Sequence, residues 1–175
     1  MGQQNEPAPA DFSPSVNELV GNNAAQADGF NEADQHSPPV RHLAIVTCMD
    51  SRIDAVKVLG LGEGDAHILR NAGGVITDDV VRSLCLSQRF LGTREIILMH
   101  HTDCGLQNLD EDLFRDGMES EVGVAPGWAL ETFTDPYDDV RASMQRLLDS
   151  PFVAHKEHIS GFVYDVTDGL LHTVD

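Results

Sequence analysis

Three short apolar runs constrain the fold of this chain most: HLAIVT at 42–47, DAHILR at 65–70 and REIILMH at 94–100. Continuous apolar runs of this kind are typical of strands that are buried on both faces of a parallel sheet. The segment TDDVVRSLCLSQRFLG at 77–92 keeps roughly helical apolar spacing, so we expect a crossover helix between the second and third strands. Alternating strands and helices predict an α/β fold whose central, mostly parallel sheet is flanked by helices.

Residues that start or stop helices indicate where the other elements begin and end. Thr77 or Asp78 can cap the crossover helix, and Gly92 is expected to close it. Two surface helices and a terminal β-hairpin with a Thr-Asp-Gly turn complete the prediction. The two helices are expected at 108–118 and at 135–150, the second beginning after Pro136 and ending before Pro151. The hairpin is expected at 161–174.

Composition divides the chain near residue 39. Residues 1–39 are rich in Asn, Gln, Ala, Asp and Pro, so we expect an acidic, mostly mobile arm with a short helix around 16–20. Residues 40–175 are expected to form one domain, because the chain is too short for two cores. No apolar run approaches the length of a membrane span and the N-terminus lacks a secretory signal pattern, so a cytoplasmic protein is expected.

The cysteines point to a metal site. They number three, without the spacing of a disulfide framework, and Cys85 falls in the apolar stripe of the crossover helix, where we expect a core residue. Cys48 follows the first strand, and HHTDCG at 100–105 follows the third. If these strands are neighbours, Cys48 reaches the His-x2-Cys pair, whose spacing selects His101 with Cys104. Two thiolates and an imidazole suit Zn²⁺ and leave a fourth position open, although a lone cysteine after a strand is also a common core residue.

Two charged residues follow Cys48 closely. Asp50 can coordinate the metal or accept a hydrogen bond from metal-bound water, and Arg52 can hold that carboxylate in a bidentate pair. The alternative is an ordinary surface ion pair, which contributes little. Beside an open metal site we favour a catalytic role for both residues.

Taken together, CMDSR, LRNAGG and HTDCG resemble the β-class carbonic anhydrases, particularly the short archaeal and bacterial members. The resemblance extends from about His36 to the terminal hairpin. It implies one zinc per chain on Cys48, His101 and Cys104, and a catalytic pair of Asp50 and Arg52. It also implies strand order 2-1-3-4 with an antiparallel fifth strand, and an obligate homodimer that in some members pairs into a tetramer.

The activity that this resemblance implies is reversible hydration of carbon dioxide to bicarbonate and a proton. Asn71, Gly73 and Gly74 of LRNAGG are expected to line the substrate pocket, although such glycines are often plain turn residues. His36 lies where short members can carry a histidine near the site, so it is a candidate proton shuttle; the alternative is an exposed histidine.

Two other functions stay open at this point. Carbon disulfide and carbonyl sulfide hydrolases share the fold and the zinc ligands that the resemblance implies, and their linear apolar substrates mimic carbon dioxide. A catalytically silent zinc-binding scaffold is the third reading, but a structural site needs neither Asp50 nor Arg52.

The charge of the chain limits its partners. Asp and Glu number 29 against 11 Lys and Arg, giving a formal net charge of −18, and Lys57 and Lys156 are its lysines. Such a field repels phosphate backbones and anionic lipid, so neither nucleic acid nor a membrane surface is an expected partner. With 41% hydrophobic residues, the acidity is expected to form a solvated shell around a folded core. A lysine-poor acidic shell favours the hypothesis of a halophilic source.

This hypothesis predicts that the melting temperature rises with KCl concentration. Added salt shortens the range of the repulsion among carboxylates, from about 10 Å at 0.1 M to about 3 Å at 1 M. Thermal melts followed by circular dichroism in increasing KCl measure the effect. A melting temperature that stays constant or falls would contradict the hypothesis.

Overall fold

The computed structural model describes residue 13, residues 15–27, residues 29–30 and residues 37–175. The chain divides into two units, Met1–Gln35 and His36–Asp175. In the first unit, helix α1 spans Val16–Ala27 and is longer than the short helix expected around 16–20. None of the described helices combines the length and the apolar character that a membrane span requires. The division at residue 39 and the mobility of the arm stay predictions.

The second unit is built on one five-stranded sheet with strand order β2-β1-β3-β4-β5. β1 pairs in parallel with β2 and with β3, β3 pairs in parallel with β4, and β5 is antiparallel to β4. This arrangement confirms the predicted α/β class, the order 2-1-3-4 and the antiparallel terminal strand. The strands are β1 Leu43–Cys48, β2 Ala66–Asn71, β3 Glu95–His101, β4 Ile159–Tyr164 and β5 Leu171–Val174.

The second unit also contains four α-helices. Each is preceded by an aspartate or threonine whose side chain accepts a hydrogen bond from a backbone N–H of the first turn. Thr77 caps the crossover helix, but the prediction that Gly92 closes it is wrong, because the helix ends at Arg89. The last helix begins at Pro136 itself, one residue earlier than predicted, since proline is well tolerated in a first turn. The helices are α2 Ala55–Leu59, α3 Asp78–Arg89, α4 Glu111–Val122 and α5 Pro136–Asp149.

Apolar side chains join one face of the sheet to α3 and α5. Val46 and Leu98 from the central strands meet Leu84 of α3 and Val140 of α5, and all four are fully buried. Every residue of β1 is buried, as its continuous apolar run predicted. The opposite face packs against α2. Because both faces of β1 and β3 are covered, their carboxyl ends are held at one edge of a rigid layer.

A glycine allows the closest contact between the sheet and α5. A Cβ atom at Gly161 of β4 would meet Val140 Cγ1, and it would lie 3.0 Å from Met144 Sδ. Both neighbours belong to α5, so the helix occupies the space that a larger residue at this position would need.

Gly161→Ala is therefore expected to lower the free energy of unfolding by about 1–3 kcal/mol, the usual cost of overpacking a core. Gly117→Ala is the matched control, because Gly117 lies inside α4 and a Cβ there meets nothing within 4 Å. That control is expected to raise stability by about 1 kcal/mol, since alanine favours the helix. Urea denaturation of both variants measures the difference. A Gly161→Ala protein as stable as the wild type would contradict the close packing.

Candidate active site

The three predicted metal ligands meet where β1 and β3 end. Cys48 is the last residue of β1, His101 is the last residue of β3, and Cys104 follows three residues later. Their ligand atoms all lie within 4.8 Å of one another, and the two sulfur atoms are 3.8 Å apart. All three residues are buried. The parallel pairing of β1 with β3 therefore assembles the group that the motifs predicted.

The chemistry of this group fits a metal ion. Nδ1 of His101 lies 2.9 Å from the carbonyl oxygen of Thr102, a contact in which the ring N–H donates, so Nε2 is left as the lone-pair atom. Nε2 is buried and has no hydrogen-bond partner among the described residues. A buried acceptor without a partner is costly, and a cation between Nε2 and the two free thiols would satisfy it. The group can therefore bind a metal ion.

The contact between the two cysteines favours a thiolate at Cys48. Their hydrogen bond lowers the pKa of Cys48, against the opposing effect of burial, and raises the pKa of Cys104. The backbone N–H of Asp50 adds a further donor, 3.4 Å from the Cys48 sulfur. A thiolate is the form of cysteine that coordinates metal, so this direction of the Cys48 pKa fits a metal site. Cys85, by contrast, lies half-buried in α3, away from this group.

The glycines of LRNAGG let a loop lie against the end of β1. Gly74 has a φ of +75°, and a Cβ atom there would lie 2.9 Å from the backbone nitrogen of Cys48. Gly73 has a φ of +78°, and its Cβ would lie 2.6 Å from Leu106 Cδ2. The positive φ favours glycine at both positions, and at Gly74 the close approach to backbone atoms is a second reason.

Asn71 joins this loop to the site from β2. It is paired with Cys48 across the sheet, and its carbonyl oxygen accepts a hydrogen bond of 2.8 Å from the backbone N–H of Met49. Its side-chain NH₂ donates to the carbonyl oxygen of Val75 at 2.8 Å. Its Oδ1 atom is buried and without a partner among the described residues, so it can accept a further hydrogen bond.

Asp50 and Arg52 form the bidentate pair that the sequence predicted. Arg52 Nε donates to Asp50 Oδ1 at 3.0 Å and Nη2 donates to Oδ2 at 2.8 Å. These side-chain hydrogen bonds, reinforced by the backbone N–H of Arg52, hold the pKa of the Asp50 carboxyl well below its usual range. The carboxylate is therefore ionised, and its Oδ2 lies 3.8 Å from Nε2 of His101.

Two further residues, which the sequence did not single out, also contact the site. Arg70 donates from Nε to the carbonyl oxygen of Cys48 at 2.9 Å, and from Nη2 to that of Asp50 at 2.7 Å. Asp103 accepts from Arg52 through its carboxylate and through its carbonyl oxygen, both at 2.8 Å. Both residues stand inside the recognised motifs, which was the available signal, but spacing does not reveal bonds to backbone carbonyls.

Among the residues that the structure describes, no other histidine joins the ligand group. His100 instead contacts α5, where its Nε2 lies 2.6 Å from Asp139 Oδ2, and its ring packs on Phe133. This placement agrees with the x2 spacing that selected His101. His36, the candidate proton shuttle, lies outside the described residues.

The sequence of this chain is similar to those of known proteins. A family model described as carbonic anhydrase matches residues 43–129. The chain is 48% identical over 159 residues to β-carbonic anhydrase 1 of Mycobacterium tuberculosis, covering 91% of this chain and 97% of that protein. It is 32% identical over 151 residues to a carbon disulfide hydrolase of Acidithiobacillus thiooxidans, covering 72% and 69%.

The fold of this chain is also similar to that of a solved structure. The carbonic anhydrase from Streptococcus mutans superposes with a TM-score of 0.86 at 40% sequence identity, covering 94% of this chain and 99% of that one. Identity at this level over nearly the whole chain, together with the shared sheet, means that this chain belongs to the β-class carbonic anhydrase family.

Proposed function

We propose that this protein is a zinc enzyme that catalyses the reversible hydration of carbon dioxide to bicarbonate and a proton. The observation that carries the proposal is the ionised Asp50 carboxylate, which Arg52 holds 3.8 Å from Nε2 of buried His101, an atom that has no hydrogen-bond partner in the described part of the chain. A purely structural metal site has no need of such a pair.

Cys48, His101 and Cys104 would hold one zinc ion per chain. Zinc, when bound, lowers the pKa of a coordinated water toward neutrality and so supplies a nucleophile. Asp50 is ionised and can only accept, so it takes a hydrogen bond from the substrate water and turns that water's lone pair toward carbon dioxide. Arg52 keeps this carboxylate charged and correctly oriented.

The surroundings of the ligands suit a small apolar substrate. Val75, Leu106 and Phe133 are buried around the two ligand cysteines. Beside such side chains a linear uncharged molecule avoids the desolvation cost that a charged one would meet. Asn71, Gly73 and Gly74 would complete the pocket, and the free Oδ1 of Asn71 can accept a hydrogen bond from the bicarbonate hydroxyl. His36 would carry the released proton to solvent.

Hydrolysis of carbon disulfide or carbonyl sulfide is the second candidate. The 32% identity to a carbon disulfide hydrolase favours it, because the same apolar lining and ligands would accept either linear molecule. We favour carbon dioxide because the identity to β-carbonic anhydrase 1 is higher and spans more of both chains.

The proposal also covers the cellular location, the source and the oligomeric state of the enzyme. Free buried Cys48 and Cys104 suit the reducing cytoplasm, and the acidic charge suits a halophilic source. We also propose a homodimer, or a tetramer made of two dimers, because α1 exposes Val16, Leu19 and Val20 at helical spacing. A monomer in sedimentation velocity would contradict this last assignment.

Two assays on purified zinc-loaded protein separate the candidate substrates. We expect rapid hydration of carbon dioxide in stopped-flow measurements with a pH indicator, and its loss after removal of zinc by a chelator. Release of hydrogen sulfide from carbon disulfide and carbonyl sulfide is measured in parallel. Zinc-dependent sulfide release without hydration of carbon dioxide would replace the first candidate by the second.

Two variants separate metal binding from the role of the carboxylate. Asp50→Ala is expected to keep about one zinc per chain while kcat falls about 100-fold or more, the usual contribution of a positioned acid or base. Cys104→Ser is expected to lose zinc, because it removes one of only three protein ligands. Elemental analysis and stopped-flow rates measure both effects.

Each variant has a matched control in the same chain. Asp54→Ala removes a nearby carboxylate that caps α2, so it is expected to cost about 1 kcal/mol of stability without changing kcat. Cys85→Ser alters a half-buried thiol of α3 and is expected to keep its zinc. Full activity in Asp50→Ala would refute the role proposed for this residue.

A further inference from the structure

We propose that Asp103 is a positioning residue: it braces Arg52 from the β3 side of the site and so fixes the orientation of Asp50. The catalytic consequence of this brace rests on the function proposed above. The brace itself is a geometric property of the chain and can be tested separately.

Arg52 is held along two edges of its guanidinium group. Nε and Nη2 face Asp50, at 3.0 and 2.8 Å. Nη1 donates to the carboxylate of Asp103 at 2.8 Å, and Nη2 also donates to the carbonyl oxygen of Asp103 at 2.8 Å. Four of the five N–H donors of a guanidinium are therefore used, and two of them belong to Asp103.

One atom links the brace to the catalytic carboxylate. Nη2 of Arg52 bonds both the carbonyl oxygen of Asp103 and Oδ2 of Asp50. That same Oδ2 is the carboxylate oxygen that lies 3.8 Å from Nε2 of His101. A shift of the guanidinium would therefore move the oxygen that lies nearest to the metal ligands.

The backbone places Asp103 for this contact. Asp103 stands between His101 and Cys104 and has a φ of +56°, in the left-handed region that aspartate tolerates better than most residues. In this conformation its carboxylate and its carbonyl oxygen both meet Arg52. Asp50 and Arg52 follow β1, whereas Asp103 follows β3, so the contact joins the loops that directly follow these two strands.

Arg52 needs a second anchor because it is a long side chain near solvent. Its side chain is 46% exposed, and the only other acceptor it meets among the described residues is Asp50 itself. The backbone N–H of Arg52 holds Oδ1 of Asp50 at 2.9 Å, but without Asp103 the guanidinium could shift and Oδ2 of Asp50 could turn with it. The Asp103 side chain is 79% exposed, so this ion pair contributes little to folding. Its contribution is to hold the guanidinium group of Arg52 in one orientation.

The test uses variants that keep the left-handed backbone. Asp103→Gly removes the carboxylate alone, since glycine adopts a positive φ freely and still offers its carbonyl oxygen. We expect kcat to fall about tenfold, the effect typical of residues that orient a site through a neighbour, with zinc content and melting temperature close to wild type. Asp103→Asn keeps an acceptor oxygen and is expected to recover most of this loss.

Glu131→Gly is the matched control. Glu131 has a φ of +59°, and its carboxylate pairs with Arg146 of α5 at 3.0 Å. The substitution therefore removes a comparable carboxylate from an arginine at a comparable backbone position. It is expected to leave kcat unchanged. In an Arg52→Lys background, Asp103→Gly should cause no further loss, because the brace acts only through Arg52.

A second readout does not depend on activity. In ¹⁵N-labelled protein, the Nε–H signal of Arg52, assigned by its absence in Arg52→Lys, should exchange with water slowly in the wild type and in Glu131→Gly. It should exchange faster in Asp103→Gly, in both zinc-loaded and zinc-free protein, because the guanidinium has lost a fixed partner.

The outcomes separate this proposal from the proposed function. Wild-type protein that does not hydrate carbon dioxide refutes the proposed function, while the exchange experiment still tests the brace. Unchanged kcat and unchanged Arg52 exchange in Asp103→Gly would overturn the brace. Equal losses in the Gly and Asn variants, or a further loss in the Arg52→Lys background, would also overturn it.

Discussion

The parallel pairing of β1 with β3 is the contact on which the site depends. It places Cys48 and His101 at the same edge of the sheet, although they are separated by about fifty positions in the chain. Thr47 Oγ1 donates to the carbonyl oxygen of Met99 at 2.8 Å, so a buried side chain links the two strands one residue before Cys48. A rigid edge matters because metal ligands must be held in place before the ion arrives.

Much of the fold could be predicted from the sequence because buried strands leave a strong signal. The runs at 42–47, 65–70 and 94–100 became β1, β2 and β3 within about one residue at either end. The ends of helices were less certain. Gly92 has the positive φ of a terminating glycine, but α3 stops at Arg89, and the chain turns through Phe90 before reaching it. Local propensity did not reveal that earlier turn.

The candidate site likewise contains residues that could be predicted from the sequence and residues that could not. Cys48, His101 and Cys104 could be grouped from the sequence because two thiols and an imidazole at these strand ends are the types of side chain that bind zinc, and the structure brings His101 rather than His100 to the two cysteines. Arg70 could not be placed, since it acts on backbone carbonyl oxygens whose directions depend on the folded loop. The double contact of Asp103 likewise depends on a left-handed backbone that no motif specifies.

Salt gives a physical reason for the way in which Asp50 is held. If the acidic surface works in concentrated salt, as proposed, Coulomb attraction between exposed groups is screened over about 3 Å at 1 M. Directed hydrogen bonds act at contact and are weakened much less. Asp50 is fixed by such bonds, from the side chain and the backbone N–H of Arg52, and Arg52 is in turn fixed by Asp103. A site that depends on geometry more than on net attraction can keep its carboxylate oriented in a chain with a formal charge of −18.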